Sequence, residues 1–547
     1  MSSATPAPAP SRIRRLPLAG VLRLGRPSDI WFKPALSVVA AVAPPNLTLL
    51  ALGRLDLAMY TMAGSLCALY AHHRPYRARA AILARVVLGM VGGLAVSLVA
   101  ASLTTSAAVL VAVGALLAAV QKALCDATRV GPPGNVVLTF ITSASLFAPQ
   151  TLGQVPGHLA LALAAGGWAW VVAMAPGLVR PHGPERRATA HALNATAAYV
   201  EQRDDARSRA AAGAAIQAAW QSLLSAGART ATRRALDRLV VRAEVALAAP
   251  ADADPRHLRA WARDLRGTGP VPCTGEDGEL LGIDAELAVP AVPLRRRLGP
   301  LTPLAVRTAT GCALAGYASL ALGVGRPYWA LVTAASLYQA NLTLTWSRGV
   351  QRVVGNLVGV LLFAAVVPLA HLAPVALVLL CLVFNFGAEA LIGRNYWLGS
   401  VCVTPMALLI TEFAGFQEPG RLITERVADT VVGALVGFAA AVAVTNRRAG
   451  SRIEQTLTAV ERARERAARL LAEPRSDDPR ALESARRALA AELVELRAAV
   501  EAASGEWWQG ALPQERVVRA EQAGHRTLAA TVRHQAVRSA TTEGTRP

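Results

Sequence analysis

Residues 353–372 read VVGNLVGVLLFAAVVPLAHL, twenty positions without a Lys, Arg, Asp or Glu. As a helix, about 20 such residues cover the ~30 Å hydrocarbon core of a bilayer. Residues 82–102, ILARVVLGMVGGLAVSLVAAS, repeat the pattern with a single charge, Arg85. The same criterion, carried outward, gives candidate spans at 34–52, 57–71, 82–102, 105–124, 135–152 and 159–179. A second set follows at 303–323, 327–345, 353–372, 374–393, 396–415 and 427–445. The second span is short, and Pro44-Pro45 is expected to break the first. The fold class expected is an all-α polytopic membrane protein. It has two parallel-repeat blocks of about six transmembrane helices each, with cytoplasmic helical regions attached.

Composition agrees. Of 547 residues, 53% are hydrophobic and 17% are charged, against about a quarter charged in an ordinary soluble chain. The formal net charge is +20. Such a value first suggests nucleic acid, but no zinc-finger spacing or RNA-binding signature accompanies it. Cytoplasmic loops of membrane proteins collect Lys and Arg, and anionic head groups neutralise them. A nucleic-acid partner is therefore not expected, whereas the lipid bilayer is. Cys67, Cys125, Cys273, Cys312, Cys381 and Cys402 form no C-x-x-C pair and read as small buried residues, not a disulfide framework or metal site. The basic, Pro/Ala-rich N-terminus lacks a compact apolar core with a cleavage site, so no cleavable signal peptide is expected.

Charge in the short loops sets an expected orientation. With the N-terminus cytoplasmic, Arg74, Arg77, Arg79, Lys122, Arg129, Arg180, Arg348, Arg352 and Arg394 fall inside. Outside then fall Arg54, Arg326, Arg421 and Arg426, and the loops at 101–106 and 149–158, which carry no Lys or Arg. Trp31, Trp346 and Tyr396-Trp397 stand at inner span ends and Tyr328-Trp329 at an outer one, as interfacial aromatics do. The expected organisation is a basic cytoplasmic segment at 1–33, a first membrane block at 34–180, a helical region and linker at 181–300, a second membrane block at 301–446, and cytoplasmic amphipathic helices at 447–547. Both termini are expected in the cytoplasm of a bacterial cell, the blocks in its inner membrane. Leu489, Leu493 and Leu496 mark the apolar stripe of one soluble helix. The two soluble regions are expected to pack on each other or to form a homodimer contact.

Residues 85–92, RVVLGMVG, and 352–359, RVVGNLVG, open the third span of their blocks with the same orientation. That points to a parallel duplication. Gly89 and Gly93, Gly355 and Gly359, and Gly433 and Gly437 are paired at four-residue spacing. Glycines so placed make flat faces where helices approach closely, within a block or at a dimer seam.

Residues 326–363 read RPYWALVTAASLYQANLTLTWSRGVQRVVGNLVGVLLF. A Tyr-Trp pair opens a small-residue helix, a short basic link follows, and then an Arg and a glycine-spaced helix. This resembles the membrane domain of the fusaric acid resistance family, which includes aromatic acid exporters. Arg426 to Gly437 resembles that family's closing helix. The likeness is clearest over 300–445 and looser over 30–180. It implies an inner-membrane permease of two six-helix blocks that exports weak aromatic acids or related toxic compounds, in double-membrane bacteria with a periplasmic adaptor.

No phosphate-binding loop, H-E-x-x-H or G-x-S-x-G stands in a suitable context, so neither an enzyme nor a cofactor is expected. Ionisable groups inside a membrane are costly, about 2.5–3.5 kcal/mol on insertion scales, and face a cavity or a partner. The shortlist is Asp126, Arg307, Arg352, Glu389, Arg426 and Asp429. Arg352, a bidentate donor, suits a carboxylate. Glu389 and Asp429, with Arg426, are candidates for proton coupling. The plainer reading pairs Asp429 with Arg426 and Glu389 with Arg394. Tyr338, Gln339, Asn341, Asn356 and Asn385 are buried polar candidates for the substrate path, and Tyr328 and Trp329 for stacking an aromatic ring at the outer mouth. The leading expectation is an efflux transporter of small organic anions. The alternatives are a passive organic-anion channel and, in another class, a membrane scaffold or signalling protein.

Overall fold

The computed structural model describes residues 16, 18–25, 31–202, 205–226, 230–248, 250–251, 253–272, 298–339, 341–444, 449–473, 479–505 and 513–543. Arg12, Arg14, Arg15, Cys273, Arg295 to Arg297, Arg447, Arg448 and Pro474 lie outside the described residues.

The first block comprises α1 (Phe32–Ala51), α2 (Ala58–Ser65), α3 (Tyr76–Leu103), α4 (Ala107–Thr128), α5 (Val136–Leu146) and α6 (Val155–Met174). A soluble bundle follows with α7 (Gly183–Glu201), α8 (Ala206–Ser225), α9 (Ala231–Ala248) and α10 (Pro255–Arg266). The second block comprises α11 (Thr302–Ala321), α12 (Tyr328–Leu337), α13 (Leu342–Ala370), α14 (Pro374–Ile392), α15 (Tyr396–Thr411) and α16 (Pro419–Ala443). Three soluble helices close the chain: α17 (Ala449–Ala472), α18 (Pro479–Ser504) and α19 (Gln514–Glu543). Seven helices among the described residues are long and apolar enough to cross a membrane, and four shorter apolar segments lie between them. α11, which carries Arg307, completes the set.

Their lipid-facing surface is unmistakably apolar. Leu88, Leu116, Leu361, Val383 and Leu435 each stand more than half exposed on the long helices, an arrangement water would penalise and lipid does not. The short second and fifth helices sit inside. All ten residues of α12 are buried. A ten-residue helix is about 15 Å long, so the chain must leave helical geometry at membrane depth, which is tolerated where protein or a water-filled cavity surrounds it. The break falls at Tyr338–Asn341, where 327–345 had been read as one span. Tyr338 is extended and donates to the carbonyl of Gly437 at 3.1 Å. The Asn341 side chain caps α13, accepting from Leu344 N at 2.9 Å. The expected break at Pro44-Pro45 does not occur: α1 runs through both prolines, and Thr48 donates to the carbonyl of Pro44 at 2.8 Å.

The two blocks pack alike. In each, the third helix lies against the fifth and sixth, and the second against the sixth. Between blocks the contacts are reciprocal: α1 meets α14, and α4 meets α11. Each block thus places its first helix on the other's fourth.

The soluble helices build two small cores, one around Trp220, Leu223, Leu236 and Leu239, the other around Val460, Leu489, Leu493 and Leu496. They join through a buried ionic cluster. Arg486 pairs with Glu244 at 2.5 Å and Glu483 at 2.7 Å, and Arg487 lies 4.1 Å over the Trp220 ring. Burial opposes the charge of Arg486, yet the two carboxylates hold it above the ordinary guanidinium range. The bundle reaches the membrane blocks at the α12–α13 break, where Thr343 N donates to the carbonyl of Gly505 at 3.0 Å, and through Arg129–Glu495 at 2.9 Å.

Candidate functional site: a basic cavity with an arginine–tryptophan end

Between the blocks lies a cavity of about 3110 Å³ that opens on the side of the soluble helices. Fourteen Lys and Arg line it, against two carboxylates, Asp126 and Glu389. A low-dielectric concavity of one sign concentrates counter-ions, so this cavity gathers anions. At the opposite end a polar layer closes the molecule. Arg326 pairs with Glu425 at 3.1 Å, Arg421 with Glu425 at 2.8 Å, and His371 with Glu412 at 3.1 Å. None of these residues lines the cavity.

The deep end is made by the second block and α5. α16 places Arg426, 1% exposed, with its guanidinium carbon 3.9 Å from the Trp329 ring centre. Phe140 stacks on Trp329 at 5.5 Å. Arg352, one turn beyond Arg348 on α13, donates to the hydroxyl of Tyr396 at 3.1 Å, and Arg348 lies 3.8 Å over the Tyr396 ring. Arg426 Nε and Nη1, Arg352 Nε and Ser400 Oγ are buried without a hydrogen-bond partner. Unmade donors at depth are expensive, about 1–3 kcal/mol each and more when charged. Several of them stand at one cavity end, with the π face of Trp329 beside them.

Behind these groups runs a hydrogen-bonded network in which Asp429 Oδ2 alone of the atoms named is left without a partner. Asn356 donates to Thr430 Oγ1 at 3.0 Å and accepts from Thr404 Oγ1 at 2.6 Å, tying α13, α15 and α16 together. Asp429 accepts from Ser319 at 2.6 Å. Asn385, on the cavity wall, donates back to the carbonyl of Cys381 at 2.9 Å.

Several expectations change here. Asp429 does not pair with Arg426, nor Glu389 with Arg394, and Glu389 faces the cavity. Tyr328 and Trp329 are not mouth anchors; both are buried, Trp329 on the cavity wall and Tyr328 behind it. Tyr396 is a partner of Arg352 and Arg348, not an interfacial aromatic. Tyr338 and Gln339 line the cavity, while Asn341, Asn356 and Asp429 do not. Arg307 donates to the carbonyl of Val444 at 2.9 and 2.7 Å, and Asp126 pairs with Lys122 at 3.1 Å. Among the paired glycines, Gly355, Gly359, Gly433 and Gly437 lie at close helix approaches and Gly93 against Gln121, but Gly89 faces open space. Phe140, Arg348 and Tyr396 escaped the sequence reading. Arg348 and Arg352 stand at i, i+4 on one face, a signal that a helix starting at 342 would have carried.

Residues 313–440 match the family described as fusaric acid resistance protein-like. An uncharacterized membrane protein of Bacillus subtilis (strain 168), YvaC, is 32% identical over 126 residues, covering 22% of this chain and 19% of that protein. The chain thus spans about a fifth of the length of the curated relative it matches. No solved structure matches. Trp329, Arg352, Tyr396 and Arg426 all fall within the matched residues, and this chain is a multi-pass membrane protein whose residues 313–440 are similar to the fusaric acid resistance protein-like family.

Proposed function

We propose that the chain is an inner-membrane exporter of small organic anions, aromatic carboxylates first among them, working by alternating access. The observation that carries this is the cavity's deep end, where the unpartnered guanidinium nitrogens of Arg352 and Arg426 stand beside the face of Trp329. The carboxylate takes the guanidinium N–H groups, and the ring takes the Trp329–Phe140 wall. The chain sits with both termini in the cytoplasm, so the open cavity loads from there. The closed polar layer at the far end favours a transporter over an open channel. Glu389, on the cavity wall without an ion-pair partner among the described residues, is the proton-coupling group. The reciprocal packing of the blocks supports their origin by parallel duplication.

The test is uptake of labelled hydroxybenzoate and related acids into everted membrane vesicles. The expected result is concentrative, uncoupler-sensitive uptake that is lost in Arg352→Ala. Uptake that equilibrates regardless of the gradient would establish the channel instead. No protein-dependent flux across a broad panel of acids would overturn the transport reading.

A further inference from the structure

A second group of cations lies at the other end of the cavity, far from Arg426 along the chain and in the first block. Lys33 opens α1, Arg79 lies in the first turn of α3, and Arg180 and Arg187 flank the end of the α6 span. Arg187 is close enough to repel both Lys33 and Arg79, and Arg180 repels Lys33. The fold supplies little to offset them. Glu185 faces Arg187, but it is buried, and burial pushes its carboxyl up toward the neutral form.

The polar atoms here are also left open. Arg79 is 5% exposed, and its Nη2 donates to Nδ1 of His72 at 3.0 Å. A guanidinium can only donate, so His72 accepts at Nδ1 and carries its proton on Nε2. Burial and then Arg79 hold His72 down to about 3, which keeps the ring neutral. His72 Nε2, Arg79 Nε and Arg187 Nη1 are all buried without a partner. Three N–H donors and four cations therefore stand together on the cavity wall, with the single buried carboxyl of Glu185 beside them.

The position of this cluster names the anion's source. Lys33 and Arg180 stand at the ends of two candidate spans, the positions at which basic side chains meet lipid head groups. From there an apolar strip runs into the membrane along the same cavity wall: Phe32, Leu36 and Trp168 are each 40% exposed or more. Trp168 Nε1 donates to the carbonyl of Ala40 at 3.0 Å, which holds the ring flat between α1 and α6. Basic pockets between spans on the cytoplasmic side bind anionic head groups, and arginine matches phosphate geometry.

We propose that Arg79, Arg187 and His72, with Lys33 and Arg180 at the rim, form a binding site for the phosphate of an anionic phospholipid, whose acyl chain lies along Phe32, Leu36 and Trp168. The bound lipid neutralises the cluster and fills the seam between α1 and α6. This site is separate from the deep arginine–tryptophan end and does not depend on the transport reading.

The test is native mass spectrometry of the full-length protein, titrated in neutral detergent with dioleoylphosphatidylglycerol, dioleoylphosphatidylcholine or inorganic phosphate. The expected result is one retained phosphatidylglycerol and no retained phosphatidylcholine. Half-saturation should rise about tenfold in Arg187→Gln and in Arg79→Gln and stay unchanged in Arg352→Gln. Melting in phosphatidylcholine micelles checks that the variants fold, and if the buried Arg79 variant does not, the partly buried Arg187 carries the test alone. Phosphatidylglycerol binding unaffected by Arg187→Gln would overturn the site. Inorganic phosphate that binds with the same arginine dependence and displaces the lipid would assign it to a free oxyanion instead.

Discussion

Replacing Arg426 by Met separates what this residue does for the fold from what it does for an anion. The guanidinium is buried, no ion pair reaches it, and two of its nitrogens have no acceptor. A buried ion costs several kcal/mol after relaxation, and the Trp329 face returns about 2 kcal/mol of that. Met has similar length and no charge, so the unliganded variant should gain ~1–3 kcal/mol of stability and melt at a higher temperature in phosphatidylcholine nanodiscs. The same change removes a charge-assisted fork worth about 1.5–3 kcal/mol to a carboxylate, or roughly 10- to 100-fold in apparent affinity. Everted-vesicle uptake of labelled hydroxybenzoate should show that loss. Arg426→Lys should fall between, because it keeps the charge but not the planar fork. A Met variant that melts lower and still transports with unchanged affinity would show that Arg426 is a packing post and would refute the argument.

Three further outcomes follow from contacts elsewhere. Glu389→Gln should abolish gradient-driven accumulation while leaving equilibrating flux, and Asp429→Asn, whose partner Ser319 remains, should retain accumulation; counterflow assays separate the two. Gly355→Ala should destabilise the second block by about 1–3 kcal/mol, because a Cβ there would stand 2.5 Å from Ser400 Cβ and 2.6 Å from the Trp397 carbonyl, whereas Gly89→Ala should be near neutral by melting temperature. Arg486→Met should weaken the joint between the soluble regions by about 3–5 kcal/mol at neutral pH, since it strands the buried carboxylate of Glu244, while Glu483 keeps Arg487 at 2.7 Å. Burial already pushes Glu244 up. A carboxyl raised in the folded state is fully stabilising below its unfolded value near ~4.3 and loses that contribution as pH rises through the folded value. Hydrogen exchange across α9 and α18 should therefore show a deficit that shrinks toward pH 5 and is largest at pH 8; a pH-independent deficit would contradict the assignment.

What the sequence made legible, and what it hid, divides along the range of the interactions. The long helices could be read because each must satisfy lipid by itself: α3, α4, α13 and α14 carry their own apolar length, whatever surrounds them. The short interior helices could not. LYQANLTL, residues 337–344, is continuous in hydropathy with its flanks, and its break exists because distant groups receive it: the Gly437 carbonyl takes the Tyr338 hydroxyl, and the Gly505 carbonyl takes Thr343. Arg426 was misread for the same reason. Asp429 stands three residues on, at helical pairing distance, but it accepts from Ser319 and the arginine lies over Trp329, while the adjacent Glu425 pairs with Arg326 and Arg421. This has a mechanical consequence. Gly505 lies so close to Asn341 that no Cβ fits there, so the soluble helices press directly on the cap of α13, the helix that carries Arg348 and Arg352. A displacement of α18 cannot leave that cap in place, and the next residues inward, Tyr338 and Gln339, already line the cavity. The break in the second block is thus the point where the soluble bundle and the arginine–tryptophan end of the cavity meet on one helix, α13.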